Sequence, residues 1–165
     1  MRWVPLIASL LVPAGIGIVS TITGPIFYIN ESASMPKGIC AARKSDEPLK
    51  RSDVVVFEVP PEVMKLAVER GYIGKGMPFI KSVGAIAGDT YCVRWDAAGY
   101  GTFYINSVFV GPVFTKDSKG RPLPRIEGCH VVADGNFLPA GIASERSFDG
   151  RYWGAMSIGD GSLND

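Results

Sequence analysis

PFIKSVGAIAGDTYCVRW, residues 78–95, is the stretch on which the fold turns. Two runs rich in β-branched and aromatic residues, 78–86 and 90–95, flank the pair Gly88-Asp89. Both runs read as strands. Working outward, DVVVFEV (53–59), TFYINSVFV (102–110) and CHVVADGNFL (129–138) also read as strands, the last turning at Asp134-Gly135. Between the first two lies PPEVMKLAVERG (60–71), with Pro at its start, apolar Val63, Leu66 and Ala67, and a closing Gly71. Those signals predict one short helix. With 20 glycines and 12 prolines the chain has the turn content of a β fold rather than of a helical bundle. The expected class is mainly β, one antiparallel domain with one or two short helices.

The N-terminal side differs in texture. Residues 3–30 (WVPLIASLLVPAGIGIVSTITGPIFYIN) carry no charge. About 20 apolar residues cross the hydrocarbon core as a helix. Trp3 at one end and Phe27 and Tyr28 at the other suit the two interfaces. A cleaved secretory leader has a shorter apolar run, and Pro13, Gly15 and Gly17 suit a membrane helix better than a soluble core helix. The expectation is a retained anchor over 1–30, spanning at about 4–26, and an extracytoplasmic domain over 31–165. Arg2 ahead of the span places the N-terminus in the cytoplasm. A net charge of +1 gives no basic field for nucleic acid. Three cysteines, Cys40, Cys92 and Cys129, lack zinc-site spacing. They read either as one disulfide, Cys92–Cys129, with one free thiol, or as three small buried apolar residues.

Lys81 is the most informative residue. In a strand its side chain shares a face with Phe79 and Val83. Desolvation there favours the neutral amine, a competent general base. The alternative is a solvated or snorkelling lysine. Ser34 lies in ESASMPKG (31–38), just past the apolar run, with Ser32 two positions earlier. A serine hydroxyl needs a base to become a nucleophile. His130 is the single histidine and sits in an apolar run, so lysine is the other candidate base. Taken alone, Ser-Met-Pro is an ordinary turn.

Three segments in order, SASMP (32–36), FIKSVGAIAGDTYCV (79–93) and VADGNFLPAGIASERSFDGRYWG (132–154), resemble the type I signal peptidase superfamily. They resemble its nucleophile segment, its lysine strand with the following turn, and its closing segment with a Ser-x-Asp-x-Arg core, here Ser147, Asp149 and Arg151. The spacing Ser34-Met35-Pro36-x-Gly38 and the FEVPPE segment (57–62) are similar to the TraF-type conjugative-transfer peptidases. Two departures stand out. Gly141-Ile142-Ala143-Ser144 replaces the family's polar Gly-Asp-Asn-Arg, and Cys40 replaces an aromatic residue.

The resemblance implies a signal-peptidase-like β domain and a serine endopeptidase. Its nucleophile would be Ser34 and its general base Lys81. Ser32 and the Ser34 N–H would face the oxyanion, Ser147 would orient the lysine amine, and Asp149 and Arg151 would form a supporting ion pair. It implies no metal and no organic cofactor. The partners implied are a precursor protein, a pilin or other preprotein with small residues before the cut, and membrane lipid around the anchor; no nucleic acid. Of three rival readings the first is rejected, because the chain has the apolar run and lacks a basic segment. A self-cleaving repressor-type peptidase would need a DNA-binding segment in place of the anchor. A general secretory signal peptidase differs only in substrate. A non-catalytic pilus or secretion-channel component would hold Ser34 and Lys81 apart.

Overall fold

The computed structural model describes residues 26–158 except 31, 33, 44–46 and 142. The apolar run up to residue 25, and with it the expected membrane helix, lies outside the described residues. Among the described residues no helix is long and apolar enough to cross a membrane.

The strands are β1 (Ile26–Asn30), β2 (Gly38–Ala42), β3 (Val54–Phe57), β4 (Phe79–Ile86), β5 (Thr90–Trp95), β6 (Gly101–Ile105), β7 (Val108–Val113), β8 (Gly128–Val131), β9 (Asn136–Ala140) and β10 (Met156–Ser157). Two short helices, α1 (Pro61–Glu69) and α2 (Gly150–Trp153), complete the described elements. All the described pairings are antiparallel, as expected of a mainly β domain. One sheet runs β10-β9-β4-β3, a second β7-β6-β5-β8, and β1-β2 form a separate ribbon.

The core lies between the two larger sheets. Ala85 from β4 and Leu138 from β9 meet Tyr91 and Val93 from β5, Phe103 from β6 and Val113 from β7, with Tyr152 of α2 closing the cluster. Gly84 sits at a bulge in β4, where a Cβ would come within 2.7 Å of the Ala140 Cβ and 3.0 Å of Ile105 Cδ1. The missing side chain lets the two sheets approach at that point. The helix α1 packs Ala67 against Val59 and Phe79 in a smaller cluster. It ends as its sequence predicts: Gly71 takes φ +71°, its N–H donates to Val68 O, and Tyr72 N–H donates to Ala67 O.

Several expectations shift. The run 26–30, assigned to the anchor by its hydropathy, is β1, so the folded domain begins before residue 31. The strand expected over 102–110 folds back at Asn106-Ser107, both at positive φ (48° and 67°), into the β6–β7 hairpin. Asn tolerates that conformation. Its amide is also tied down, accepting from Thr90 N at 2.9 Å and donating to Asp89 at 2.8 Å. The Asp134-Gly135 turn is present, with Gly135 at φ +73°. It joins no hairpin, because β8 pairs with β5 while β9 pairs with β4. Cys92 and Cys129 face each other in the β5–β8 register and form the disulfide, leaving Cys40 free.

Candidate active site

The chain leaves β1 at Asn30, turns at Ser34-Met35 and returns as β2. The buried Asn30 amide spans that turn, donating from Nδ2 to the carbonyls of Met35 (3.2 Å) and Pro36 (2.9 Å). Met35 is buried, and its sulfur accepts from Ser82 Oγ of β4 at 3.6 Å. Those ties set Ser34 against β4 beside Lys81. Ser34 is 4% exposed and Lys81 5%.

The Lys81 Nζ lies 2.5 Å from Ser34 Oγ and 3.2 Å from Ser147 Oγ. The Ser32 and Ser34 hydroxyl oxygens are 3.0 Å apart. Desolvation pushes the Lys81 amine down to about 8; the nearby Arg151 cation acts in the same direction, and the Asp149 carboxylate opposes both. At pH 7 about a tenth of such an amine is neutral, roughly 300-fold more than for an ordinary lysine.

Behind the amine, Asp149 and Arg151 form an ion pair at 2.9 Å with both side chains essentially inaccessible. That burial excludes a solvated surface pair. The Asp149 carboxylate also accepts from the Gly141 N–H at 2.7 Å, and the Arg151 guanidinium donates to the carbonyls of Pro112 and Glu145 at 3.0 and 2.9 Å. The pair therefore ties the segment bearing Ser147 to β7. Gly141 leaves no room for a larger residue: a Cβ there would fall 2.0 Å from Ser147 Oγ and 3.0 Å from Ser34 Cβ.

Ser32, Ser34, Lys81 and Ser147 open into a cleft of about 440 Å³ whose other walls include Phe79, Tyr72, Phe114, Lys116, Arg146 and Phe148. A smaller hollow, walled by Val83, Gly84, Ile105 and Val110, contains none of these four groups. His130 is exposed on β8, stacks on Tyr91 and bonds through Nε2 to Glu127 O, away from the residues that wall the cleft.

All six residues singled out from the sequence are thus near one another: Ser34 and Ser147 on the Lys81 amine, Ser32 against Ser34, and Asp149 and Arg151 behind. The sequence reading missed Asn30 and gave Gly141 no role. An Asn at a strand end before a Ser-rich turn is a local signal for a side-chain-bridged turn. The Gly141 contact is tertiary and leaves no local trace. Chemically, a buried amine that sheds its proton near neutrality beside a hydroxyl is equipped for nucleophilic catalysis.

Two comparisons bear on the identity of this arrangement. The model of a protein family described as "Signal peptidase, peptidase S26" matches residues 1–160. No curated protein matches the chain.

Proposed function

Because the chain belongs to the S26 signal peptidase family, whose members are serine endopeptidases acting on precursor proteins, we propose that it cleaves exported precursors with Ser34 as nucleophile and Lys81 as general base. The observation that carries this reading is the 2.5 Å approach of a buried amine to a buried hydroxyl.

Ser34 Oγ attacks the scissile carbonyl as neutral Lys81 takes its proton. The oxyanion that forms is met by the Ser34 N–H and the Ser32 hydroxyl; one such donor is typically worth about 100- to 1000-fold in rate. Ser147 Oγ holds the amine in line. On collapse the C–N bond breaks and the Lys81 ammonium gives its proton to the leaving amine. The acyl ester on Ser34 is then hydrolysed by a water that Lys81 deprotonates, and the ester oxygen leaves with that proton. The buried Asp149–Arg151 pair supports the segment that carries Ser147.

Members of this family are generally membrane-associated with extracytoplasmic catalytic domains. The uncharged run 3–25 supplies the anchor in this reading. The finer assignment is a TraF-type peptidase maturing a pilin for conjugative transfer, supported by the Ser34-Met35-Pro36-x-Gly38 spacing. A general secretory peptidase would instead process many preproteins.

Mass spectrometry of a co-expressed conjugative pilin precursor tests the assignment. Cleavage is expected with the wild type and is lost in Ser34→Ala, Lys81→Ala and Lys81→Arg, since a guanidinium keeps its proton. Full processing by Lys81→Ala ends the proposal; equal processing of a panel of unrelated preproteins replaces the pilin assignment with the secretory one.

A further inference from the structure

Asn30 is buried at 6% exposure where β1 runs into the Ser34 turn. Its partners fix the orientation of its amide. Nδ2 faces three carbonyl oxygens, those of Ser32 (3.3 Å), Met35 (3.2 Å) and Pro36 (2.9 Å), which only accept. Oδ1 faces the Ser32 N–H at 3.2 Å and the Ser32 hydroxyl at 2.9 Å. A flipped amide would turn an NH2 toward an N–H and one oxygen toward three others.

A hydroxyl has one proton to give. With that proton on Asn30 Oδ1, Ser32 Oγ presents a lone pair to Ser34 Oγ, 3.0 Å away. We infer that Asn30 is a positioning residue for the reaction: it holds the Ser32 proton off the nucleophile in the resting site and pins the turn so that Ser34 Oγ stays opposite Lys81. The inference rests on the reading of Ser34 and Lys81 as nucleophile and base.

The proton arithmetic gives it a signature. With Lys81 charged, donors run Lys81 to Ser34 to Ser32 to Asn30, and each finds an acceptor. With Lys81 neutral, the Ser34 proton turns to Nζ. The Ser32 proton stays on Asn30, so a lone pair of Ser34 Oγ is free for the carbonyl. When the oxyanion forms, the Ser32 hydroxyl swings from Asn30 Oδ1 to the new charge. Without the Asn30 oxygen, the protein acceptor left for the Ser32 hydroxyl is Ser34 Oγ itself. The chain then runs Ser32 to Ser34 to Lys81, which occupies the nucleophile and favours the neutral amine. Loss of Asn30 therefore moves the Lys81 titration down. A turn that had merely loosened would admit water and move it up. The other charged or titratable groups facing Lys81, namely Asp149 and Arg151 behind it and Tyr72, Lys116, Asp117, Arg146 and Tyr152 on the cleft walls, are unaltered by the substitution.

The test uses the full chain in detergent micelles, with acetic anhydride as the probe and peptide mass spectrometry reading acetylation of Lys81 against pH. Asn30→Leu is expected to lower the midpoint by about half a unit to one unit. Ser32→Ala is expected to do the same, and the double variant to go no lower than Ser32→Ala alone. A midpoint that rises in Asn30→Leu, or an Asn30→Leu shift that persists undiminished in the Ser32→Ala background, overturns the inference. Asn30→Asp preserves shape and keeps an oxygen for the Ser32 proton, so its midpoint must not fall; a fall overturns the inference even if Asn30→Leu fails to fold. Turnover of a quenched peptide with alanine before the cut is measured in parallel. There kcat of Asn30→Leu is expected to drop roughly tenfold with KM held within about twofold. A wild type that cleaves no peptide or precursor removes the functional reading, while the acetylation midpoints still decide whether Asn30 controls the relay.

Discussion

Burial of Lys81 sets stability against the proposed role of a single residue. Its amine is lowered to about 8 because the folded domain disfavours the ammonium. The folded state thus holds fewer protons than the unfolded chain between about pH 8 and 10.5, and stability rises with pH through that window. Below it the full penalty is present, on the order of 3 kcal/mol. Lys81→Met is therefore expected to abolish cleavage and to stabilise the domain at pH 7 by about 1–3 kcal/mol, with the gain shrinking above pH 8. Denaturant melts at pH 7 and pH 10 check both the sign and the trend. Lys81 was legible in the sequence because an ammonium in an apolar strand breaks the local pattern. Ser34 and Ser147 were legible through the ordered segments around them. Asn30 was not, since a polar residue at a strand end is ordinary, and its five contacts exist only once the turn has closed.

At the scale of elements, the β4–β5 turn is held by one carboxylate. Asp89 accepts from Arg51 Nε at 2.8 Å, from the Ile86 N–H at 2.9 Å and from the Asn106 amide at 2.8 Å. Led by the Arg51 guanidinium, these donors hold it well below the usual carboxylate range, against the effect of its burial. They join β4, β5 and the β6–β7 turn, on the strand that delivers Lys81. Asp89→Ala is expected to cost about 2–4 kcal/mol in thermal or denaturant melts at pH 7. A carboxyl with a depressed folded pKa contributes stability that is fully present above about pH 4 and is lost as the pH falls further. The gap between wild type and variant should accordingly narrow toward pH 2. The long strands around this turn were readable from their β-branched runs. The β6–β7 hairpin was not, because Asn106-Ser107 is a weaker turn signal than Asn-Gly. β1 was hidden by its own hydropathy, being continuous with the apolar run before it. β10, two residues long, carries no period at all.

For the whole molecule, sheet order was beyond the sequence. Alternation sets which face of a strand is buried but not which strand lies beside it, so the partition of β8 and β9 into different sheets is a tertiary outcome. The expected membrane arrangement makes its own prediction. The full chain should stay with membranes through an alkaline carbonate wash, and protease added outside spheroplasts should degrade the catalytic domain; full protection from external protease would reverse the orientation. The β1–β2 ribbon carries exposed Ile26, Phe27, Ile29 and Ile39 next to the apolar run, so the turn that bears Ser34 begins close in sequence to where that run ends.

Cleavage by Ser34 and Lys81 requires a lysine that works without its proton, and the pH–rate profile of cleavage reports that directly. Across pH 5 to 10, kcat/KM for a cleavable precursor peptide should climb tenfold per pH unit and level off with a midpoint near 8, the value to which burial lowers Lys81. A profile that is flat over that range, or one whose activity falls as pH rises through 8, contradicts a neutral lysine base.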